Sequence, residues 1–196
     1  MTKTQAHPSD VLRFDPEKHQ FWRGPKRIPG VSEILTKVGL SKDFKGVDPF
    51  YRDRGIATHK AIELYLQGIL DPTSLDPAIR PQFEAFLGYW DKHMDEKIIA
   101  LEKPMADNLE FAGIPDLVTE KAVYDWKASK SHDRVADLQG QAYKHLVEKN
   151  LNQTLPFIVV ELHDDSTSEV FDYGSKSNEW PSVLTLYRWR LGKHEE

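Results

Sequence analysis

Gly113-Ile114-Pro115-Asp116-Leu117-Val118-Thr119-Glu120-Lys121-Ala122-Val123-Tyr124-Asp125-Trp126-Lys127 reads as the end of one strand, a polar break and a second strand. The apolar pairs and triplets on either side of Thr119-Glu120-Lys121 are those of two short adjacent strands joined by a tight turn. A hairpin of this kind brings Asp116, late in a strand over Phe111–Val118, close to acids on the next strand, Ala122–Ala128. Asp125 and Lys127 are two apart, so they share one strand face, and Tyr124 and Trp126 share the other. The aromatic face is the one to bury. Two carboxylates beside an ammonium can hold a divalent cation while the ammonium faces the same substrate, a set suited to cutting a phosphodiester.

Outward from the hairpin, helix signals are clear. Asp48-Pro49 is an N-cap followed by proline at the first helical position, predicting a helix to about Gln67 that stops at Gly68. Asp76-Pro77 repeats the signal, with Phe83, Phe86, Leu87 and Trp90 at helical spacing, predicting a helix to about Glu96. A short helix is expected over Val31–Val38, ending at Gly39. Another follows Asp133 to about Lys149, and a last one covers Glu179–Leu191. Remaining strands are expected at Val11–Phe21 (around an Asp15–Lys18 turn), Lys97–Lys103, Leu155–Leu162 and Glu169–Tyr173, and Lys42–Val47 as a loop. The order of elements predicts an α/β fold, a single domain with a central mixed β-sheet flanked by helices. Residues 1–10 are expected to be a flexible N-terminus and 11–196 the domain, its helical part at about 31–96 covering the site.

Composition narrows the classes. The chain has 196 residues, enough for one domain with its own core. It has no cysteine, which excludes disulfides, thiol catalysis and cysteine-held zinc or iron–sulfur groups. No apolar run approaches the ~18 residues of a membrane span. The beginning of the chain lacks a signal-peptide pattern, so no membrane partner and a cytoplasmic location are expected. The net charge is −5, whereas a nucleic-acid binder usually shows a basic footprint. Metal-holding carboxylates inflate the negative sum, however, because bound cations offset them. Local basic groups exist at Arg52, Arg54 and Lys60, and at Lys127 and Lys130.

Further residues gain meaning beside the hairpin. Glu102 ends the apolar strand Ile98-Ile99-Ala100-Leu101. His59 lies in the helix, after Arg54-Gly55, and Gln139 and Tyr143 share a face at i, i+4. Taken together, Gly113-Ile114-Pro115-Asp116, Asp125-Trp126-Lys127, Arg54-Gly55-x-x-x-His59 and Gln139-x-x-x-Tyr143 resemble the PD-(D/E)XK nuclease superfamily. Within it the chain is similar to the RecB-like exonuclease branch and to its small phage and mitochondrial-type members. Asp125, where much of the superfamily has Glu, matches that branch.

The resemblance implies a restriction-endonuclease-like fold and a Mg²⁺- or Mn²⁺-dependent DNA exonuclease, with two ions. It implies that Asp116 and Asp125 hold metal with the backbone carbonyl of Trp126, and that His59 completes the shell of a second ion. Glu102 would serve as a further acid, directly or through water. Lys127 would orient water or neutralise phosphate charge; proton acceptance would need a lowered pKa. Gln139, Tyr143, Arg52, Arg54, Lys60 and Lys130 would contact substrate, which is DNA, single-stranded or with free ends. A replication or recombination protein fits as partner, and a bacterial host cytoplasm as location if the chain is phage-encoded. Bland readings stand beside these. An Asp-x-Lys pair alone is commonly a solvated surface pair, and His59 or Gln139/Tyr143 can be ordinary helix packing. The alternatives in function are a non-catalytic DNA-binding or recombination-accessory protein, a structure-specific endonuclease, and a small phosphoesterase.

Overall fold

The computed structural model describes residues 11–41, 48–108, 110–128, 133–174 and 178–192. The calls on residues 1–10 and 42–47 therefore lie outside the described residues. β1 (Leu12–Asp15), β2 (Gln20–Arg23) and β3 (Lys26–Ile28) form an antiparallel meander. Then come α1 (Val31–Lys37), α2 (Pro49–Leu66), one 3-10 turn at Pro72–Ser74, and α3 (Arg80–Trp90). β4 (Ile98–Leu101), β5 (Met105–Asp107), β6 (Phe111–Gly113), β7 (Leu117–Thr119) and β8 (Val123–Lys127) follow. The described chain closes with α4 (Arg134–Leu151), β9 (Phe157–Leu162), β10 (Ser168–Asp172) and α5 (Trp180–Gly192).

The main sheet has the order β10-β9-β8-β7-β4. It is mixed because β8 runs parallel to β9, while the other pairs are antiparallel. A parallel neighbour requires a crossover, and α4 supplies it. Alternation along the strands then divides the core. Val118, Val123, Phe157 and Val159 pack towards α1, α4 and α5. Leu117, Tyr124, Trp126, Val160 and Leu162 pack towards α2 and α3. The α/β expectation holds, with a five-stranded mixed sheet and helices on both faces. Within the stretch 31–96, α1 sides with α4 and α5 while α2 and α3 take the opposite face.

Two of the three Asp caps behave as the sequence signals predict. Asp48 accepts from the Phe50 amide at 2.9 Å with Pro49 at the first helical position. Asp133 accepts from the Val135 and Ala136 amides at 2.9 Å. Asp76 does not begin α3, which starts at Arg80. The reason is Pro81. A helix begun at Pro77 would set the Pro81 ring against the carbonyl four residues back and lose that hydrogen bond. Asp76 instead caps a turn, accepting from Ala78 N–H at 2.8 Å. The helix also stops before Glu96, at Trp90, and gives way to i+3 turns through His93.

The strand expected over Phe111–Val118 is two strands. β6 pairs with β5, a strand absent from the sequence reading, and β7 pairs with β4 and β8. Between them Ile114-Pro115-Asp116 carries the chain from one sheet to the other. Pro115 has no N–H to continue a ladder, so the break falls there.

Candidate metal centre

The β7–β8 hairpin sets the centre. Its register pairs Leu117 with Tyr124 and Val118 with Val123, and one further step places Asp116 opposite Asp125. The turn is held by Thr119, whose hydroxyl accepts from the Lys121 and Ala122 amides at 3.1 Å. At the open end of the hairpin, the Trp126 N–H donates to Asp116 Oδ2 at 2.7 Å. Asp116 and Asp125 are 7% and 2% exposed, so both carboxylates must be compensated from within the protein.

Three elements converge on Asp116. His59, in the middle of α2, places Nδ1 3.3 Å from Asp116 Oδ2. Glu102, just past β4, has φ of +45° and donates its N–H to the Asp116 carbonyl at 3.0 Å. A non-glycine residue in that left-handed region costs about 1–3 kcal/mol, and such strain concentrates at functional sites. The turn aims the Glu102 carboxylate at its neighbours. One ligand atom each from His59, Glu102 and Asp116 lies within 4.8 Å of the others. Asp125 stands outside that trio and pairs with Lys127, Nζ to Oδ2 at 2.6 Å.

The helix after the hairpin completes the surroundings of Lys127. Its Nζ donates to Gln139 Oε1 at 3.5 Å, and Gln139 Nε2 donates to Tyr143 Oη at 3.0 Å. α4 reaches this position because two glycines permit close approach. A Cβ on Gly140 would lie 2.1 Å from the Phe157 ring on β9. One on Gly113 would meet Tyr143 Cε1 at 2.8 Å and Leu146 Cδ1 at 3.1 Å. Gly113 of the Gly-Ile-Pro-Asp run thus makes room for Tyr143, a role its spacing alone did not reveal.

Charge is crowded here, and the titrations respond. Burial and then the Asp116 charge push Glu102 up to about 8. Burial pulls His59 down, but the Asp116 charge and hydrogen bond outweigh it and raise His59 to about 9. Burial raises Asp116, yet His59, Lys127 and the Trp126 amide hold it below the ordinary carboxylate range. Burial, aided by Asp116, keeps Asp125 above that range despite Lys127. Lys127 is desolvated, but Asp125 and Asp116 raise it, so it is held as an ammonium. Asp116 is thus compensated by the His59 and Lys127 charges, while burial favours the protonated form of Glu102.

The basic residues take several positions. Arg52 is exposed and paired with Asp53 at 2.9 Å, and Lys60 with Glu63 at 2.6 Å. Exposed pairs like these contribute only about 0–1 kcal/mol and open readily. Arg54 differs: its side chain is 12% exposed, ion-paired with Asp164 at 2.9 Å and donating to the Ala128 carbonyl at 3.4 Å. It ties α2 to the ends of β8 and β9, an occupation that the sequence reading of a substrate contact did not include. Lys130 lies outside the described residues.

Two groupings escaped the sequence reading. Glu161, His163 and Glu169 offer ligand atoms within 4.8 Å of one another. The signal was alternation on β9 together with the register Glu169 opposite Glu161. Glu96, 6% exposed, accepts from Thr119 Oγ1 at 2.7 Å and Tyr124 Oη at 3.0 Å and meets His93 Nδ1 at 2.9 Å. It fastens the end of the α3 region to the hairpin turn.

No family model matches the chain, and no curated protein matches it. Among solved structures, the crystal structure of a Eubacterium rectale protein provisionally named an exonuclease is similar with a TM-score of 0.46 and 14% identity. The likeness covers 82% of this chain and 71% of that one.

Proposed function

We propose that this chain is a divalent-cation-dependent nuclease that hydrolyses DNA phosphodiesters, a RecB-like exonuclease of the PD-(D/E)XK type. The observation that carries the reading is the convergence of His59, Glu102 and Asp116 from three separate elements onto one point beside the Asp125–Lys127 pair. The donor set fits the cation. Two carboxylates and an imidazole suit Mn²⁺, and the oxygen-rich part suits Mg²⁺, which keeps several waters of its own.

His59, Glu102 and Asp116 would hold the cation, with Asp125 and the Trp126 carbonyl adjoining; a second ion is part of the proposal. When bound, the cation would supply positive charge against the phosphate and polarise a water molecule. Lys127 stays an ammonium and neutralises charge on the phosphate as it develops, which favours that role over proton acceptance. Gln139 fixes where the Lys127 head sits, and Tyr143 fixes Gln139. Arg52 and Lys60, once their exposed pairs open, would meet flanking phosphates.

The test is end-labelled linear DNA incubated with Mg²⁺ or Mn²⁺, with EDTA as control, for the wild type and Lys127→Ala. Cleavage that needs the cation and disappears in Lys127→Ala, with the fold intact by circular dichroism, is the expected result. Binding without cleavage by the wild type would identify a non-catalytic DNA-binding protein instead. Cleavage by Lys127→Ala at the wild-type rate would refute the assignment of Lys127.

A further inference from the structure

Glu161, His163 and Glu169 bring a second set of cation ligands together on the β9–β10 hairpin, apart from the His59–Glu102–Asp116 centre. Glu161 and His163 are two apart along the chain, so they share a sheet face. Glu169 on β10 is the register partner of Glu161, and side chains directly opposed in such a pair stand about 5 Å apart. Val159, two residues before Glu161, packs towards α4, and the trio continues that face. Lys127 on β8 is the register partner of Glu161 on the other side. It stands between the two groupings in the sheet order, with its ammonium paired to Asp125.

The three side chains are graded from inside to outside. Glu161 is 0% exposed, while the side chains of His163 and Glu169 are 24% and 58% exposed. The buried carboxylate forms the floor, and the other two close on it from the solvent side. His163 Nε2 stands 3.9 Å from Glu169 Oε2, too far for a hydrogen bond. That spacing approaches the ~3.4 Å between two ligands of one tetrahedral zinc ion at bond lengths of about 2.1 Å. The backbone that carries the imidazole is fixed. The His163 N–H donates to the Thr167 carbonyl at 2.9 Å, and the Ser166 N–H donates to the His163 carbonyl at 3.2 Å. Register and turn thus place the ligands before any ion enters.

We propose that Glu161, His163 and Glu169 bind a Zn²⁺ ion that staples the edge strand β10 to β9, with water in the fourth position. One imidazole and two carboxylates are donors that Zn²⁺ accepts, and three protein ligands plus water is its open-site arrangement. The chain has no cysteine, so a zinc site here must be built from imidazole and carboxylate. The imidazole favours Zn²⁺ over Mg²⁺, which prefers oxygen alone. The staple also steadies Asp164, the next residue, which holds Arg54 of α2 at 2.9 Å and Gln82 of α3. This inference goes beyond the nuclease reading and does not rest on it.

The experiment is Zn²⁺ titration by calorimetry of the full chain carrying Asp116→Asn, which disables the other centre, with and without His163→Ala or Glu169→Gln. Both added substitutions fall on partly exposed side chains, and circular dichroism checks the fold. The Asp116→Asn chain is expected to bind one Zn²⁺, with Tm raised by about 5–10 °C at a hundredfold excess over Kd. Adding Glu169→Gln or His163→Ala should weaken Zn²⁺ at least tenfold and remove most of that rise. Co²⁺ in place of Zn²⁺ should give visible absorption bands that His163→Ala shifts or abolishes. No Zn²⁺ uptake by the Asp116→Asn chain would overturn the proposal. So would a loss of less than tenfold in both added variants, because the ion would then be held elsewhere. The glutamates would in that case be charges that guard the edge strand against pairing with another chain. Either failure leaves cleavage of DNA in Mn²⁺ by the wild type unaffected, so it is distinguishable from failure of the nuclease reading.

Discussion

At the residue scale, the proposed centre would have protons and a cation compete for the same atoms. Burial and neighbouring charge raise the pKa values of His59 and Glu102 to about 9 and about 8, so at neutral pH a cation binding as proposed would have to displace their protons. Raising the pH removes the competitor. Mn²⁺ affinity is expected to climb from pH 6 to pH 9, with proton release on binding near neutral pH, measured by titration in buffers of different ionisation enthalpy. A flat affinity across that range would contradict the placement of these two residues in the site. Stability follows the opposite sign in the cation-free protein. A folded pKa above the unfolded value favours the folded state at low pH. The Glu102 contribution is therefore lost as pH rises from about 4.5 to 8, and the His59 contribution between 6.5 and about 9. The Tm difference between Mn²⁺-loaded and EDTA-treated protein should widen over the same interval. Asp116→Asn should lose most Mn²⁺ affinity, because it removes the carboxylate on which His59 and Glu102 converge. His59→Ala should weaken affinity by a smaller factor, since neutral imidazole adds less for a hard cation.

At the scale of elements, α4 and the α3 tail hold the hairpin from opposite sides. α4 lies so close to β9 that no Cβ fits at Gly140, where the Phe157 ring is already 2.1 Å from the built position. Gly140→Ala should therefore destabilise by about 1–3 kcal/mol through overpacking, read as a lower midpoint in urea unfolding. A neutral or stabilising effect, as expected for alanine in an unpacked helix, would mean that α4 does not sit against the sheet in this way. On the other side, burial works against Glu96, but hydrogen bonds from Thr119, His93 and Tyr124 lower its pKa and keep it charged. Glu96→Ala removes a charged acceptor from buried Thr119 and Tyr124 and should cost about 2–3 kcal/mol. The loss should be largest above pH 4.5, where the wild-type carboxylate is ionised, and should shrink as pH falls.

At the scale of the whole molecule, the open end of one hairpin is reached by α2 from one face of the sheet and by α4 from the other. Among the described residues, no helix is long and apolar enough to cross a membrane. If the proposed exonuclease needs a free end, a closed circle of single-stranded DNA should resist digestion while the linear form of the same sequence is degraded. Equal digestion of both forms would mark an endonuclease and leave the cation chemistry intact. Binding in Ca²⁺ should weaken steeply with added salt, because Arg52 and Lys60 would release counterions from the phosphates they meet.

Local chemistry carried much of this in the sequence. Asp48-Pro49 and Asp133 fixed two helix starts because a cap acts within three residues of itself, and the Thr119–Lys121 break fixed the hairpin because a turn is equally local. Alternation on β8 put Tyr124 and Trp126 in the core and Asp125 with Lys127 on the other face before any partner was known. What local pattern could not supply was which distant groups meet there. His59 reaches Asp116 across 57 residues and Glu102 across 14, and Arg54 turns to Asp164, 110 residues away. Pro115 divided an apparent single strand because β6 and β7 belong to different sheets, a fact of pairing that propensity does not record. The protonation of the centre was beyond the sequence for the same reason. A pKa depends on burial and on charges a few ångströms away, and both exist only once the chain has folded.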